Sequence, residues 1–304
     1  MSIVKLVTNK HTGRKVLMNR IRDSRNNDFD SEENEMCPFC PHENEEEANF
    51  RIEKNNQWQV KAIDNKYPAL MTDIDEFQQN RCDYGKHEVL IETREHLRSF
   101  YDFNDDEFID IIKMYQNRFI ELSKDKNIKY TIIYKNHLKK AGASKIHSHS
   151  QILSMSFIPP EIKREMNIVK EGELWGDKRI IRNSENFETF IPEDSYLSGE
   201  IIIENKHNQR FENINKQEVH ELSKEFAYIF RKIKNIYGKI PFNTYLHSLP
   251  KVVDLDNFRW HIHIIPRKGK FGGFELGTGL YINSIDLDKM WEEFCEDKKN
   301  KKIL

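Results

Sequence analysis

His147-Ser148-His149-Ser150-Gln151 is the stretch whose reading decides the fold of this chain. In an extended strand, side chains i, i+2 and i+4 point to one face. The run would therefore set two imidazoles and one carboxamide in a row, with the serines turned away. Ile146 before it and Ile152-Leu153 after it support a strand. An imidazole beside a neutral amide donor suits attack on phosphorus, one group acting as nucleophile and the other holding phosphate oxygens. Paired strand histidines also serve as metal ligands or as hydrogen-bonded core residues. The surrounding sequence has to choose.

That surrounding sequence is duplicated. Upstream lies the apolar strand Glu88-Val89-Leu90-Ile91-Glu92 with His96 just beyond it. Asn104 with Glu107 three residues on forms a capping-box signature, and Phe108, Ile111, Ile112, Tyr115, Phe119 and Leu122 follow at helical spacing. A strand over 130–134 precedes the histidine run. The same order recurs in Glu200-Ile201-Ile202-Ile203-Glu204, then His207, then a helix opening at Asn215 with Glu218. Its stripe is Val219, Leu222, Phe226, Ile229 and Ile233, and a short strand over 244–246 leads to Trp260-His261-Ile262-His263-Ile264. The pattern predicts an α+β fold of two tandem halves, residues 1–170 and 171–304, each an antiparallel sheet backed by a long helix. Ile265 stands where the first half has Gln151, and the small-residue loop Ala141-Gly142-Ala143-Ser144 has no counterpart. Chemistry is therefore expected in the first half, and the second is expected to be degenerate.

Composition narrows the classes. The chain has 304 residues, 32% of them charged, with a net charge of only -2. Neither a basic nucleic-acid face nor an acidic tail is indicated. No apolar run is long enough to span a bilayer and no leader pattern opens the sequence, so a cytoplasmic protein is expected. The four cysteines, Cys37, Cys40, Cys82 and Cys295, do not form a disulfide framework in a chain of this length. Cys37-Pro38-Phe39-Cys40 has the spacing of a zinc knuckle, although a lone C-x-x-C also fits a redox pair. His42, His87, His96, His137 and His147 are all candidate partners, and spacing does not select among them.

With the knuckle, the 136–151 segment and the repeated H-x-H strand, the chain resembles the galactose-1-phosphate uridylyltransferase branch of the histidine-triad superfamily, to which ADP-glucose phosphorylases also belong. The likeness spans nearly the whole chain. It implies zinc on Cys37, Cys40, His96 and His147, His149 as nucleophile, and Asn136, Gly142, Ala143, Ser144 and Gln151 around the phosphates. Arg22 and Arg25 resemble the family's substrate arginines, and Phe39 and Asn65 its nucleoside-side residues. Lys270, Phe274 and Glu275 lie in a segment similar to one that reaches the sugar across a dimer interface, which implies a homodimer. Glu165, His247, His261 and His263 match a second, non-catalytic metal site, for zinc or iron. The serines separating the histidines read closer to the phosphorylases, since uridylyltransferases usually carry proline there.

The implied reaction is a double displacement. A nucleoside diphosphate-sugar would give its nucleotide to His149, and a sugar 1-phosphate would take it off. Two alternatives are an ADP-glucose or dinucleoside polyphosphate phosphorylase using inorganic phosphate, and an idle nucleotide-binding protein of the same fold. Gln151 favours a phosphate leaving group, because an amide donates to phosphate but cannot supply a proton. Backbone N–H groups over 142–144 are expected to meet the developing charge.

Overall fold

The computed structural model describes residues 4–19, 37–43, 45–72 and 84–295. Beyond a small hairpin of β1 (Val4–Thr8) and β2 (Lys15–Asn19), the strands form one ten-stranded sheet. Those of the first half are β3 (Phe50–Lys54), β4 (Gln57–Asp64), β5 (Gly85–Ile91), β6 (Tyr130–His137) and β7 (His149–Met155). The second half supplies β8 (Lys178–Asn183), β9 (Phe187–Pro192), β10 (Ile201–Asn205), β11 (Phe242–His247) and β12 (His261–Pro266). The sheet order is β3-β4-β5-β7-β6-β11-β12-β10-β9-β8. Read inward from each edge, 3-4-5-7-6 mirrors 8-9-10-12-11. The halves are thus an internal repeat, joined where β6 pairs antiparallel with β11, with Asn136 opposite Asn243 and His137 opposite Phe242.

Both long helices form where the capping boxes predicted them. α1 (Asp105–Ser123) opens with the Asn104 side chain accepting from the Glu107 N–H, and α3 (Lys216–Tyr237) repeats this with Asn215 and Glu218. Each cap satisfies donors that the first helical turn leaves without partners, worth about 1 kcal/mol. The two helices cover one face of the sheet. Phe100, Phe108, Phe226, Phe230 and Phe242 meet between them and are all buried, with Phe108 and Phe226 stacked at 5.5 Å and Phe100 edge-on to Phe230 at 5.0 Å. Burial contributes roughly 1.5–3 kcal/mol for each such ring. The helices therefore fix the back of the sheet, and His149, His247, His261 and His263 occupy the front. α2 (Pro160–Glu171) crosses that front face, packing Ile162 and Met166 against Tyr130, Met155 and Phe258.

One local expectation is corrected, and the repeat proves inexact at one place. Regular strand pairing begins at His149, so Ile146, His147 and Ser148 lie in the bend before β7. The matching Glu-x-x-x-Glu patterns of β5 and β10 also face opposite ways. Glu88 and Glu92 turn to the helix side, where they meet Arg118 and Lys135; Glu200 and Glu204 turn to the front, where they meet His263 and Trp175. A strand alternates every residue, so an offset of one exchanges its faces.

Candidate active site

The knuckle closes onto the bend before β7. The Cys40 Sγ lies 3.4 Å from the Nδ1 atoms of both His96 and His147, and the Cys37 Sγ lies 3.7 Å from His147 Nδ1. One ligand atom from each of the four residues falls within 4.8 Å of all the others. His147 Nε2 donates to the Thr93 carbonyl at 2.7 Å, which fixes the tautomer and leaves Nδ1 as the free ligand nitrogen. Burial, with Cys37 alongside, pushes the Cys40 thiol up to about 11. A cation is what would allow two thiolates to stand together there. Two sulfurs and two imidazoles form the donor set of a closed tetrahedral site. Of the other candidate histidines, His87 lies beneath Gln151 and His137 stacks on Phe242 at the seam between the halves.

Two residues on, His149 is turned by the same bend. Its Nδ1 lies 2.8 Å from the His147 carbonyl. A carbonyl only accepts, so Nδ1 carries the proton and Nε2 the lone pair. The ring is 4% exposed and packs against Phe39 of the knuckle, with centroids 5.1 Å apart. It opens into a pocket of about 260 Å³, whose lining includes Phe39, Ile63, Asn65, Ser144 and Gln151.

Gln151 is oriented from below. Its Oε1 receives His87 Nε2 at 3.1 Å, the Tyr134 hydroxyl at 3.1 Å and Asn65 Nδ2 at 3.3 Å. The Ala69 N–H donates to His87 Nδ1 at 3.0 Å, so Nε2 is the protonated nitrogen. Three donors on one oxygen leave the amide NH2 for the pocket. Ser144 supplies a second donor, a buried hydroxyl that lines the same pocket and has no protein partner.

Two of the three loop N–H groups expected to meet phosphate are engaged within the loop. The Gly142 N–H bonds the Lys139 carbonyl at 2.9 Å and the Ala143 N–H bonds the Leu138 carbonyl at 3.2 Å, so the loop uses both internally. These bonds hold Leu138 at φ 67° and ψ 160°, a conformation that costs on the order of 1–3 kcal/mol outside glycine.

On the helix side of β7, the serines enter a buried network. The Lys135 ammonium reaches the His149 carbonyl and the Ser148 hydroxyl, each at 3.0 Å, and pairs with Glu92. Glu92 also accepts from Ser148, Ser150 and Tyr115. Burial lowers the Lys135 pKa, opposed by the Glu92 charge. The strand carrying the nucleophile candidate is thereby tied down from behind.

The other cluster joins three histidines of the second half to a glutamate of the first. Glu165 of α2, His247 of β11 and His261 and His263 of β12 converge, again with one ligand atom each within 4.8 Å of the rest. His263 Nδ1 is held by Glu200 at 2.7 Å and His261 Nδ1 by the Arg259 carbonyl at 2.9 Å. Their Nε2 atoms and Glu165 Oε2 are buried and make no hydrogen bond, with His261 Nε2 3.8 Å from Glu165 Oε2, the condition a bound cation would relieve. Burial raises the Glu200 carboxyl to about 7, whereas the Glu165 carboxyl is held below its usual range, against its own burial, by the hydrogen bond with His247 and the nearby His261 imidazole.

Arg22 and Arg25 fall outside the described residues. Lys270, Phe274 and Glu275 lie on an exposed segment and do not line the His149 pocket, with Glu275 capping the start of α4 (Gly273–Thr278) through the Gly272 N–H. Sequence reasoning missed His87 as the support of Gln151, and Thr93, Glu92 and Lys135 as supports of the bend. Charged residues inside otherwise apolar strands were the available signal.

Residues 6–159 match the profile of the galactose-1-phosphate uridyl transferase N-terminal domain. An ADP-glucose phosphorylase from Arabidopsis thaliana is 28% identical over 93% of this chain and 90% of its own length. A galactose-1-phosphate uridylyltransferase from Thermotoga maritima is 23% identical over 82% and 85%. The crystal structure of an Arabidopsis thaliana ADP-glucose phosphorylase with bound ADP-glucose superposes with a TM-score of 0.79 at 27% identity, covering 97% of this chain and 99% of that one. The repeated sheet, the bend and strand that carry His147 and His149, and the profile match over half the sequence agree: the chain belongs to the galactose-1-phosphate uridyl transferase family of nucleotide-sugar enzymes.

Proposed function

We propose that the protein transfers a nucleoside monophosphate between phosphates through a covalent nucleotidyl-histidine. His149 Nε2 attacks the α-phosphorus of a nucleoside diphosphate-sugar, forming the N–P bond as the bond to the leaving sugar 1-phosphate breaks. The electron pair stays on the departing phosphate, which needs no proton. A phosphate oxygen of the acceptor then attacks phosphorus, and the N–P pair returns to the imidazole. The observation that carries this reading is the bond from His149 Nδ1 to the His147 carbonyl, which puts the proton on Nδ1 and makes Nε2 the basic nitrogen of a ring that lines the pocket. Gln151, through its NH2, and the Ser144 hydroxyl hold the α-phosphate oxygens as charge builds.

Around this centre, Cys37, Cys40, His96 and His147 hold a structural zinc that stiffens the bend. Glu165, His247, His261 and His263 hold a second, non-catalytic zinc or iron. Residues 1–170 form the catalytic half and 171–304 the degenerate one. Asn65 and Phe39 contact the nucleoside; Arg22, Arg25, Asn136, Gly142 and Ala143 serve the phosphate side, and Lys270, Phe274 and Glu275 serve the sugar within a cytoplasmic homodimer.

A second acceptor, inorganic phosphate in place of sugar 1-phosphate, is favoured by the likeness to an ADP-glucose phosphorylase over nine-tenths of both chains. Intact-protein mass spectrometry after brief incubation with UDP-glucose, UDP-galactose or ADP-glucose, quenched at alkaline pH, tests both. A gain of one UMP or AMP names the base. Its removal by galactose 1-phosphate or by inorganic phosphate names the acceptor. An unlabelled chain with every donor would count against the covalent mechanism.

A further inference from the structure

The second half is degenerate as a catalytic unit, yet it reaches into the first at the seam. Asn243 of β11 sits directly opposite Asn136 of β6. Its Nδ2 donates to Asn136 Oδ1 at 2.7 Å and to the Ala141 carbonyl at 2.8 Å. Its Oδ1 accepts from Arg267 Nη1 at 3.1 Å. Every hydrogen-bonding site on one face of this amide is therefore assigned: both N–H bonds go to the first half, and the oxygen is held by an arginine just past β12. The arginine permits only one orientation of the amide, because a flipped amide would present its NH2 to the guanidinium.

This arrangement has two consequences in the first half. Asn136 has its oxygen occupied, so its own NH2 is directed to the loop, where a Cβ built on Gly142 would lie 3.8 Å from Nδ2. Ala141 is the residue before Gly142 in the loop that keeps Leu138 at positive φ, and such backbone persists only where its surroundings over-determine it. Asn136, Asn243, Ala141 and Arg267 all line one open groove on the front of the sheet.

We propose that Asn243 is a positioning residue for the phosphate site: held by Arg267, it sets the orientation of Asn136 and the seat of the 138–144 loop, so the second half completes the first. This rests on the nucleotidyl-transfer reading for its consequence in rate, but not for its consequence in binding. The test is a double-mutant cycle on full-length protein with its metals bound, using Asn136→Ala, Asn243→Ala and the pair. Affinity for ADP and UDP is read by calorimetry, and the rate of His149 labelling by mass spectrometry. Asn243→Ala should weaken binding or labelling about 10- to 100-fold. The loss in the Asn136→Ala background should be much smaller, with zinc content unchanged. Asn243→Asp, which keeps the size but replaces donors with acceptors, should do no better than alanine. Arg267→Met should give a smaller loss of the same kind. Additive effects of Asn136→Ala and Asn243→Ala, or normal binding and labelling in Asn243→Ala, would overturn the proposal. If the parent chain binds nucleotide but is never labelled, the transfer reading fails. Coupled losses of affinity would then still uphold the positioning role, and uncoupled ones would overturn it.

Discussion

In β7 the ring of His149 hangs from a main-chain carbonyl and turns its lone pair into an open pocket. In β12 the ring of His263 is held by a carboxylate, Glu200, while Tyr245 stacks on it at 4.3 Å. Its Nε2 lies among other groups able to ligate a metal, within a buried cluster. The strands occupy matching places in the repeat, so neither backbone position nor residue type separates the proposed nucleophile from the proposed ligand. What separates them is the partner of the remote nitrogen and the space before the near one. A carbonyl leaves the imidazole neutral and oriented, and a pocket admits phosphorus. A carboxylate raises ligand basicity, and a cluster of donors leaves room only for an ion.

The largest expected effect tests that contrast directly. His149→Ala should abolish nucleotide labelling, a loss of about 10³-fold or more. His263→Ala should change the labelling rate less than about tenfold. Mass spectrometry of both variants checks this, and label persisting in His149→Ala would break the assignment of chemistry to the first half.

The two clusters should differ in what they hold. Cys40→Ser should remove zinc and lower stability by several kcal/mol, because closed-site metal affinity is folding energy. His261→Asn should remove only the second metal and cost less, since the core of its half is already closed by α3. Elemental analysis and thermal melts measure both. Equal destabilisation would mean that the second site is as structural as the first.

Gln151→Ile recreates in the first half what Ile265 is in the second. It should slow labelling roughly 10²-fold by deleting one preorganised donor, while zinc content stays at the parent value. Unchanged rates would transfer the phosphate-holding role to Ser144 alone.

The smallest effect lies at the seam. Burial, followed by the Lys135 charge, lowers His137 to about 3. In the unfolded chain the same group titrates near 6.5. Between those values the unfolded chain binds a proton that the folded one does not, so stability falls as the pH drops through that window. His137→Gln should flatten the loss between pH 7 and pH 4 by on the order of 1–3 kcal/mol, read from urea unfolding at the two pH values. A parallel acid limb in the variant would show that the halves are not joined by a neutral histidine.

The local devices were legible in the sequence because their signals are local. Asn104 with Glu107 and Asn215 with Glu218 announced both long helices, and the repeat announced the symmetry of the sheet. The faces of β5 and β10 were less legible. Glu88 and Glu200 look equivalent in sequence, but a single-residue offset sends one toward α1 and the other toward His263. Partners such as His87, Lys135 and Asn243 were not legible at all, being 64, 14 and 107 residues from the groups they hold.

The sequence by itself determined the two-half α+β architecture, the zinc-type knuckle and the residues on which chemistry could fall. Period, capping and motif spacing act over a few residues and survive as pattern. The tertiary structure decided which nitrogen of His149 carries the proton, which way the amide of Gln151 points and which half supports Asn136. Each of those depends on hydrogen-bond partners brought within about 3 Å by folding, and hydrogen-bond direction leaves no trace in spacing.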